Sequence, residues 1–224
     1  YKGTLSGDVL FDDKNLKDID VDALSVDIGY VFQNPFTQIS GIKKTVFEEV
    51  ALGLENLGIP PKMIIERVIK ILDLLKISQL AKNDPTALSG GQRQKVAFAS
   101  IIAMNPDVLV IDEPTSQLDP EGTADIFSII DELKRQGKTV ILVEHKIDMI
   151  AQYSDEVLVI HNGELVKSGS AQDVLSNMEL YGFGIMPPQS ALLGHDLVDN
   201  NMPLDYIPVT KHDCCKLIKK KWGI

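Results

Sequence analysis

The chain has 224 residues, 44% hydrophobic and 24% charged, with a formal net charge of −10 and a pI near 4.8. That composition fits one large core with a small appendage, and the acidic balance argues against a surface that neutralises a phosphate backbone, so nucleic acid is not an expected partner. No apolar run approaches the roughly 20 residues that span a bilayer, and Tyr1-Lys2-Gly3-Thr4 does not open a signal peptide, so the chain reads as soluble and cytosolic.

Residues 6–11 suggest an edge strand, and the acidic stretch 12–22 a loop. Ile28-Gly29-Tyr30-Val31-Phe32 is a β-branched and aromatic run stopped by Asn34-Pro35, which predicts a buried strand with Gln33 at its exit. From Thr45 the period becomes helical. Val46, Phe47, Val50, Ala51, Leu54 and Leu57 line one face, Pro60-Pro61 interrupts, and Ile64, Val68, Ile71, Leu72 and Leu75 line a second helix. A third helix starts at the cap pattern Ser89-x-x-Gln92 and runs to about Met104.

Residues 108–111 are continuously apolar, as expected of a parallel strand covered on both faces. The stripe Ile126, Ile129, Ile130 and Leu133 predicts a helix crossing back over the sheet, 139–143 another buried strand, and 146–152 a short helix. Strands alternating with helices predict the α/β class with a mainly parallel sheet. Residues 157–160 and 164–167, joined by Asn162-Gly163, predict a hairpin closed by a type I′ turn.

Beyond Met178, Gly182, Gly184, Pro187-Pro188, Pro203 and Pro208 punctuate two short helices. The last, 210–222, carries Lys216 and Lys219-Lys220-Lys221 on a solvated face. A boundary near Met178 divides the chain into 1–178, with a helical insert at about 45–104, and 179–224. The only cysteines, Cys214 and Cys215, are adjacent. They cannot staple distant segments and lack the second half of a zinc site, so they read as reduced thiols on a helix.

Five segments carry the chemistry: Gly29-Tyr30-Val31-Phe32-Gln33-Asn34-Pro35, Leu88-Ser89-Gly90-Gly91-Gln92-Arg93-Gln94, Val108-Leu109-Val110-Ile111-Asp112-Glu113-Pro114, Ser116-Gln117-Leu118-Asp119 and Glu144-His145. In order and spacing they resemble the glutamine loop, signature loop, Walker B strand, D-loop and switch histidine of ABC ATPases. The Phe-Gln-Asn-Pro-x-x-Gln form at 32–38 and the extended C-terminal region are similar to the ATPase subunits of energy-coupling factor transporters, which import vitamins and metal ions such as cobalt or nickel. The resemblance covers residues 4 to about 210. It implies a P-loop NTPase-like ABC ATPase domain with a helical insert and a short C-terminal helical extension.

No G-x-x-x-x-G-K-[ST] phosphate loop occurs in the sequence, since Gly137-Lys138-Thr139 lacks the upstream glycine. The resemblance therefore implies a chain truncated before its Walker A portion. Family topology places the missing strand between 139–143 and 156–160, leaving two apolar strand edges unpaired.

Asp112 and Glu113 end a strand at its carboxyl edge, where open α/β sheets bind ligands. Alone, an Asp-Glu pair before proline would be a solvated turn. Within the family, Asp112 is the metal carboxylate for Mg²⁺, and Glu113 the base that orients and deprotonates the attacking water. Gln33, otherwise an ordinary loop residue, offers an amide to Mg²⁺ or to that water. His145, one residue after the 140–144 run, takes the switch role near the γ-phosphate, whereas His161, His195 and His212 have no such context. Ser89, Gly90, Gly91 and Gln92 open a helix with N–H groups and a hydroxyl suited to a terminal phosphate, and Ser89 also suits a simple helix cap. Asp119, in the D-loop, joins the nucleotide-binding set.

The resemblance further implies ATP and Mg²⁺ as cofactors. Its partners are a second ABC ATPase subunit, identical or paralogous, arranged head to tail, and an integral membrane component that places the chain at the cytoplasmic face of the cell membrane. The chain alone is expected to be inactive. Two other readings stay open. One is a pseudo-ATPase that only donates its signature loop. The other is a DNA-repair or chromosome-maintenance ABC ATPase, disfavoured because only a compact insert separates Gln33 from Ser89 where those proteins carry long coiled-coil arms.

Overall fold

A computed structural model of the chain describes residues 3–223, with the side chain of Trp222 left out. The reading of Tyr1-Lys2 as no signal-peptide start lies outside the described residues. The described chain forms two compact units, divided between Val143 and Glu144.

In the first unit a short hairpin, β1 (Leu10–Phe11) and β2 (Lys14–Asn15), turns through Asp12 and Asp13 at positive φ. The expected strand over 6–11 is thus only two residues long. A helix that starts inside the stretch expected to be a loop, 12–22, follows, α1 (Val21–Asp27). The acidic residues that suggested a loop supply its cap instead: Asp20 accepts the Asp22 N–H at 3.1 Å.

β3 (Ile28–Val31) then joins a three-stranded parallel sheet in the order β3, β4 (Val108–Asp112), β5 (Thr139–Val143). Between β3 and β4 run α2 (Val46–Asn56), α3 (Pro61–Leu74) and α4 (Gly90–Met104). Thr45 and Glu48 cap α2 reciprocally, and Pro61 opens α3, where a missing N–H costs nothing. Val50 and Leu54 of α2, Val68 and Leu72 of α3, and Val96 and Phe98 of α4 are buried, so the apolar stripes form the core as their spacing predicts.

Gly29 fixes how closely α4 approaches the sheet. A Cβ there would lie 2.5 Å from Ile101 Cγ2 and 2.9 Å from Pro106 Cγ. Only glycine lets α4, capped by Ser89, lie this close to β3, the strand that leads into Gln33. After β4, Asp119 caps α5 (Pro120–Arg135), whose last turn carries Lys134 and Arg135 at the negative end of its dipole.

β5 is not the buried strand that its apolar run predicts. Ile141 and Val143 are 52% and 50% exposed, and β4 is its only strand neighbour among the described residues. β4 likewise alternates between buried and half-buried residues instead of being covered on both faces. An apolar run reports what a strand is able to bury, not that a neighbour lies over it.

The second unit contains α6 (Ile147–Tyr153), the hairpin β6 (Glu156–His161) and β7 (Glu164–Ser170), then α7 (Ala171–Leu175), α8 (Gln189–Asp199) and α9 (Lys211–Trp222). Asn162 and Gly163 both take positive φ, 52° and 81°, as the hairpin reading requires. Val157, Val159, Val174, Leu175 and Leu180 form its core. The α9 lysines are exposed. Cys214 and Cys215 are free thiols, and burial first, then Cys215 beside it, pushes the Cys214 thiol above its ordinary pKa, so it is a poor nucleophile.

Asp125 of α5 binds the first unit's helices together. Its oxygens accept from Lys76, just past α3, at 2.8 Å and from Lys95 of α4 at 2.9 Å. The hydrogen bond from Lys76, followed by that from Lys95, holds the Asp125 carboxyl below its ordinary pKa. A depressed folded-state pKa contributes stability that is complete above the unfolded value, about 3.9, and lost as pH falls through the folded value. Asp125→Asn should therefore lower the unfolding free energy by about 1–2 kcal/mol at neutral pH. Denaturant titrations of both proteins should show that difference closing only below roughly pH 4; a difference insensitive to pH would contradict the assignment.

Candidate functional site

Parallel pairing sets Val31 opposite Ile111 and brings both chains out at the same sheet edge. Two residues further along each, Gln33 Nε2 donates to Glu113 Oε2 at 2.6 Å. Asp112, half-buried, precedes Glu113 and lies opposite Val143 of β5. The backbone at Glu113 turns to φ 42°, its N–H donating to Val143 O at 2.9 Å and its carbonyl accepting from Ser116 N at 3.2 Å. Left-handed backbone at a non-glycine residue costs about 1–2 kcal/mol. Here it lets the chain stay paired to β5 while swinging out of line directly after Asp112.

Gln33 belongs to a loop tied from within. Asn34 Oδ1 accepts the Phe36 N–H at 3.0 Å and starts the 3₁₀ turn Pro35–Thr37, whose Thr37 hydroxyl donates to Asn34 O at 2.7 Å. Gln38 closes the loop on the strand that opened it. Its Nε2 donates to Tyr30 O at 3.0 Å, and its Oε1 accepts the Phe32 N–H at 3.1 Å. One side-chain amide thereby satisfies a carbonyl of the edge strand β3 and the N–H of the residue just past it, as a neighbouring strand would. Downstream, buried Glu49 of α2 accepts from the N–H and hydroxyl of Ser40, at 2.6 and 2.7 Å, anchoring the loop to the helical insert.

The signature segment faces the D-loop of the same chain. Ser89 and Gln92 form a reciprocal cap at 3.3 and 3.2 Å, and both are exposed. A Cβ at Gly90 would lie 2.7 Å from Gln117 Oε1, and one at Gly91 3.2 Å from Leu118 Cδ2. Glycines here keep the helix start open beside the D-loop. Asp119, expected among the nucleotide-binding residues, accepts the Gly122 N–H at 2.8 Å as the cap of α5. His145 lies in the second unit, exposed, with its N–H donating to Glu144 Oε2 at 2.6 Å.

Asp112 and Gln33 offer hard oxygen donors of the kind Mg²⁺ prefers, and Mg²⁺ takes one or two protein groups and completes its shell with phosphate and water. Among the described residues no group of three His, Cys, Asp or Glu side chains is arranged to hold a metal.

The model of the ABC transporter family matches residues 2–116. A putative ABC transporter ATP-binding protein of Methanosarcina mazei is 44% identical over 193 residues, which are 86% of this chain and 32% of that protein. The energy-coupling factor transporter ATP-binding protein EcfA1 of Streptococcus thermophilus is 39% identical over 199 residues, 88% of this chain and 71% of the relative. The chain belongs to the ABC transporter ATP-binding family. Among solved structures, cbiO1 of Clostridium perfringens, described as part of the ABC transporter complex cbiONQ, superposes with a TM-score of 0.68 at 34% identity, covering 78% of this chain and 70% of that one. The fold is accordingly that of an ABC ATPase, and the chain spans about a third of the Methanosarcina protein.

The family motifs point to Gln33, Glu113 and the signature glycines, but not to Gln38 or Glu49, which tie the Gln33 loop to β3 and to α2. Gln38 was visible as the last residue of Phe-Gln-Asn-Pro-x-x-Gln, and its work follows only once β3 is known to be an edge strand. Gln38→Leu removes both of its bonds while preserving size. Hydrogen exchange at the Phe32 amide should then quicken roughly tenfold, as expected for loss of about one hydrogen bond's worth of protection; unchanged protection would show that the amide is held by something else.

Proposed function

We propose that the chain is the ATP-binding and hydrolysing subunit of an energy-coupling factor type importer. In this reading residues 1–178 are the ATPase domain and 179–224 an extension, and a second ATPase subunit and an integral membrane component complete the complex at the inner face of the cell membrane. The observation that carries it is the meeting of the Gln33 amide and the Glu113 carboxylate, beside Asp112, at the carboxyl edge of a parallel sheet. The name of the streptococcal relative, an energy-coupling factor transporter ATP-binding protein, supports this class, and a metal ion or vitamin is the cargo that the sequence resemblance implies. Among the described residues no helix is long and apolar enough to cross a membrane, which suits a subunit docked on a separate membrane protein.

Asp112 and the Gln33 carbonyl would hold Mg²⁺, which shields phosphate charge when bound with ATP. Glu113 accepts the proton of the attacking water, and Gln33 holds that water in line. The bond between them keeps the Glu113 carboxylate aimed at the site, and Gln33 can exchange it for water or metal. Ser89, Gly90, Gly91 and Gln92 serve the γ-phosphate bound on the partner ATPase, where the N–H groups of a helix start act without reorganising. His145 is assigned the switch role, and the Asp119 cap holds the D-loop beside the signature glycines.

The test is phosphate release by the 224-residue chain and by the same chain extended at its amino terminus with a G-x-x-x-x-G-K-[ST] segment. The first should be silent and the second active. Glu113→Gln in the extended protein should cut turnover at least about 100-fold, the scale of a lost general base. Equal turnover by that variant would remove Glu113 from catalysis. A silent extended protein that still activates a competent partner ATPase would establish the pseudo-ATPase reading instead.

A further inference from the structure

We propose that Arg93 is a positioning residue that couples the Gln33 loop to the signature loop within one chain, through the ring of Phe36. Arg93 sits on the first turn of α4 and is buried. Its Nη2 donates to Thr86 O and Leu88 O, both at 2.8 Å, gripping the chain just before Ser89. Its guanidinium carbon stands 3.8 Å from the centroid of the Phe36 ring. Phe36 lies three residues after Gln33, in the turn that Asn34 starts, and is itself 59% exposed. A cation over an aromatic face is attractive by about 0.5–2 kcal/mol, more as water is excluded. One guanidinium therefore carries hydrogen bonds to one loop and a ring contact to the other.

The local chemistry is not that of a helix turn built for stability alone. Arg93 Nε and both polar atoms of the neighbouring, fully buried Gln94 side chain make no hydrogen bond among the described residues. Unmet buried polar groups cost about 1–3 kcal/mol each, and such departures from local consistency gather where function constrains the chain. Arg93 touches no reacting atom. It sets where Ser89, Gly90 and Gly91 stand, and the Phe36 contact makes that setting depend on the Gln33 loop.

A competing route exists, from Glu113 through Ser116 to Gln117, whose side chain meets Gly90. The two routes separate in a double-mutant cycle on the isotope-labelled full chain, read at the amide resonances of Gly90 and Gly91. Gln33→Ala breaks the bond to Glu113 and should displace both resonances. With Phe36→Leu also present, that displacement should fall at least about fivefold, because contacting residues are non-additive and disconnected ones are not. Arg93→Lys keeps the charge but neither the flat stacking face nor the paired donors, and should give the same loss; if it fails to fold, Phe36→Leu decides alone. No response of Gly90 and Gly91 to Gln33→Ala, or an undiminished response with Phe36→Leu, overturns the proposal. The meaning of the coupling rests on the ATPase reading above, but the cycle contains no nucleotide, so its failure and a failure of hydrolysis remain distinct outcomes.

Discussion

Because β3 and β4 run parallel, with Val31 opposite Ile111, the chain leaves both strands at one edge, and a neutral amide and a carboxylate are delivered side by side from positions 80 residues apart. Two further contacts in the first unit support that delivery. Gly29 lets α4 press on β3, which keeps the signature helix close to the same strand. β5 pairs with β4 and, through Val143 O, also takes the N–H of Glu113, so the strained residue is held by the sheet it is leaving. A polar site at strand ends needs this kind of external hold, because the loop residues themselves bury too little to fix their own geometry.

Short-range hydrogen bonds supply most of the remaining order. Asn34, Thr45, Ser89, Asp119 and Thr210 each cap a turn or helix with their own side chain. Each such bond contributes only about 1 kcal/mol, yet together they decide where three functional loops begin. Longer ties then join these segments to one another: Gln38 to β3, Glu49 to Ser40, Asp125 to Lys76 and Lys95. The helical insert is thus linked to the Gln33 loop at Ser40, and its Lys76 and Lys95 are linked to α5 at Asp125.

Much of this was legible in the residues. The apolar stripes of α2, α3 and α5, the proline break before α3, the Ser89 cap and the Asn162-Gly163 hairpin are local patterns, and local patterns survive without knowledge of neighbours. What could not be read depends on neighbours. α1 was hidden because Asp20 and Asp22 look like loop residues unless one serves as a cap. The exposure of Ile141 and Val143, on one face of β5, depends on what packs over that face, which no periodicity encodes. Glu113 was found from its motif, but its left-handed backbone and its bond to Gln33 were not, since both arise from the register of β3, β4 and β5.

The central claim, that Gln33, Asp112 and Glu113 form one metal–triphosphate site, is tested most directly by paramagnetic relaxation. ATP with Mn²⁺ in place of Mg²⁺ is added to the isotope-labelled chain carrying a phosphate-loop segment. Selective broadening of the Gln33 side-chain amide and the Asp112 backbone amide, with the acidic stretch from Asp12 to Asp22 left sharp, is the expected result. Broadening of that acidic stretch with Gln33 and Asp112 untouched would contradict it.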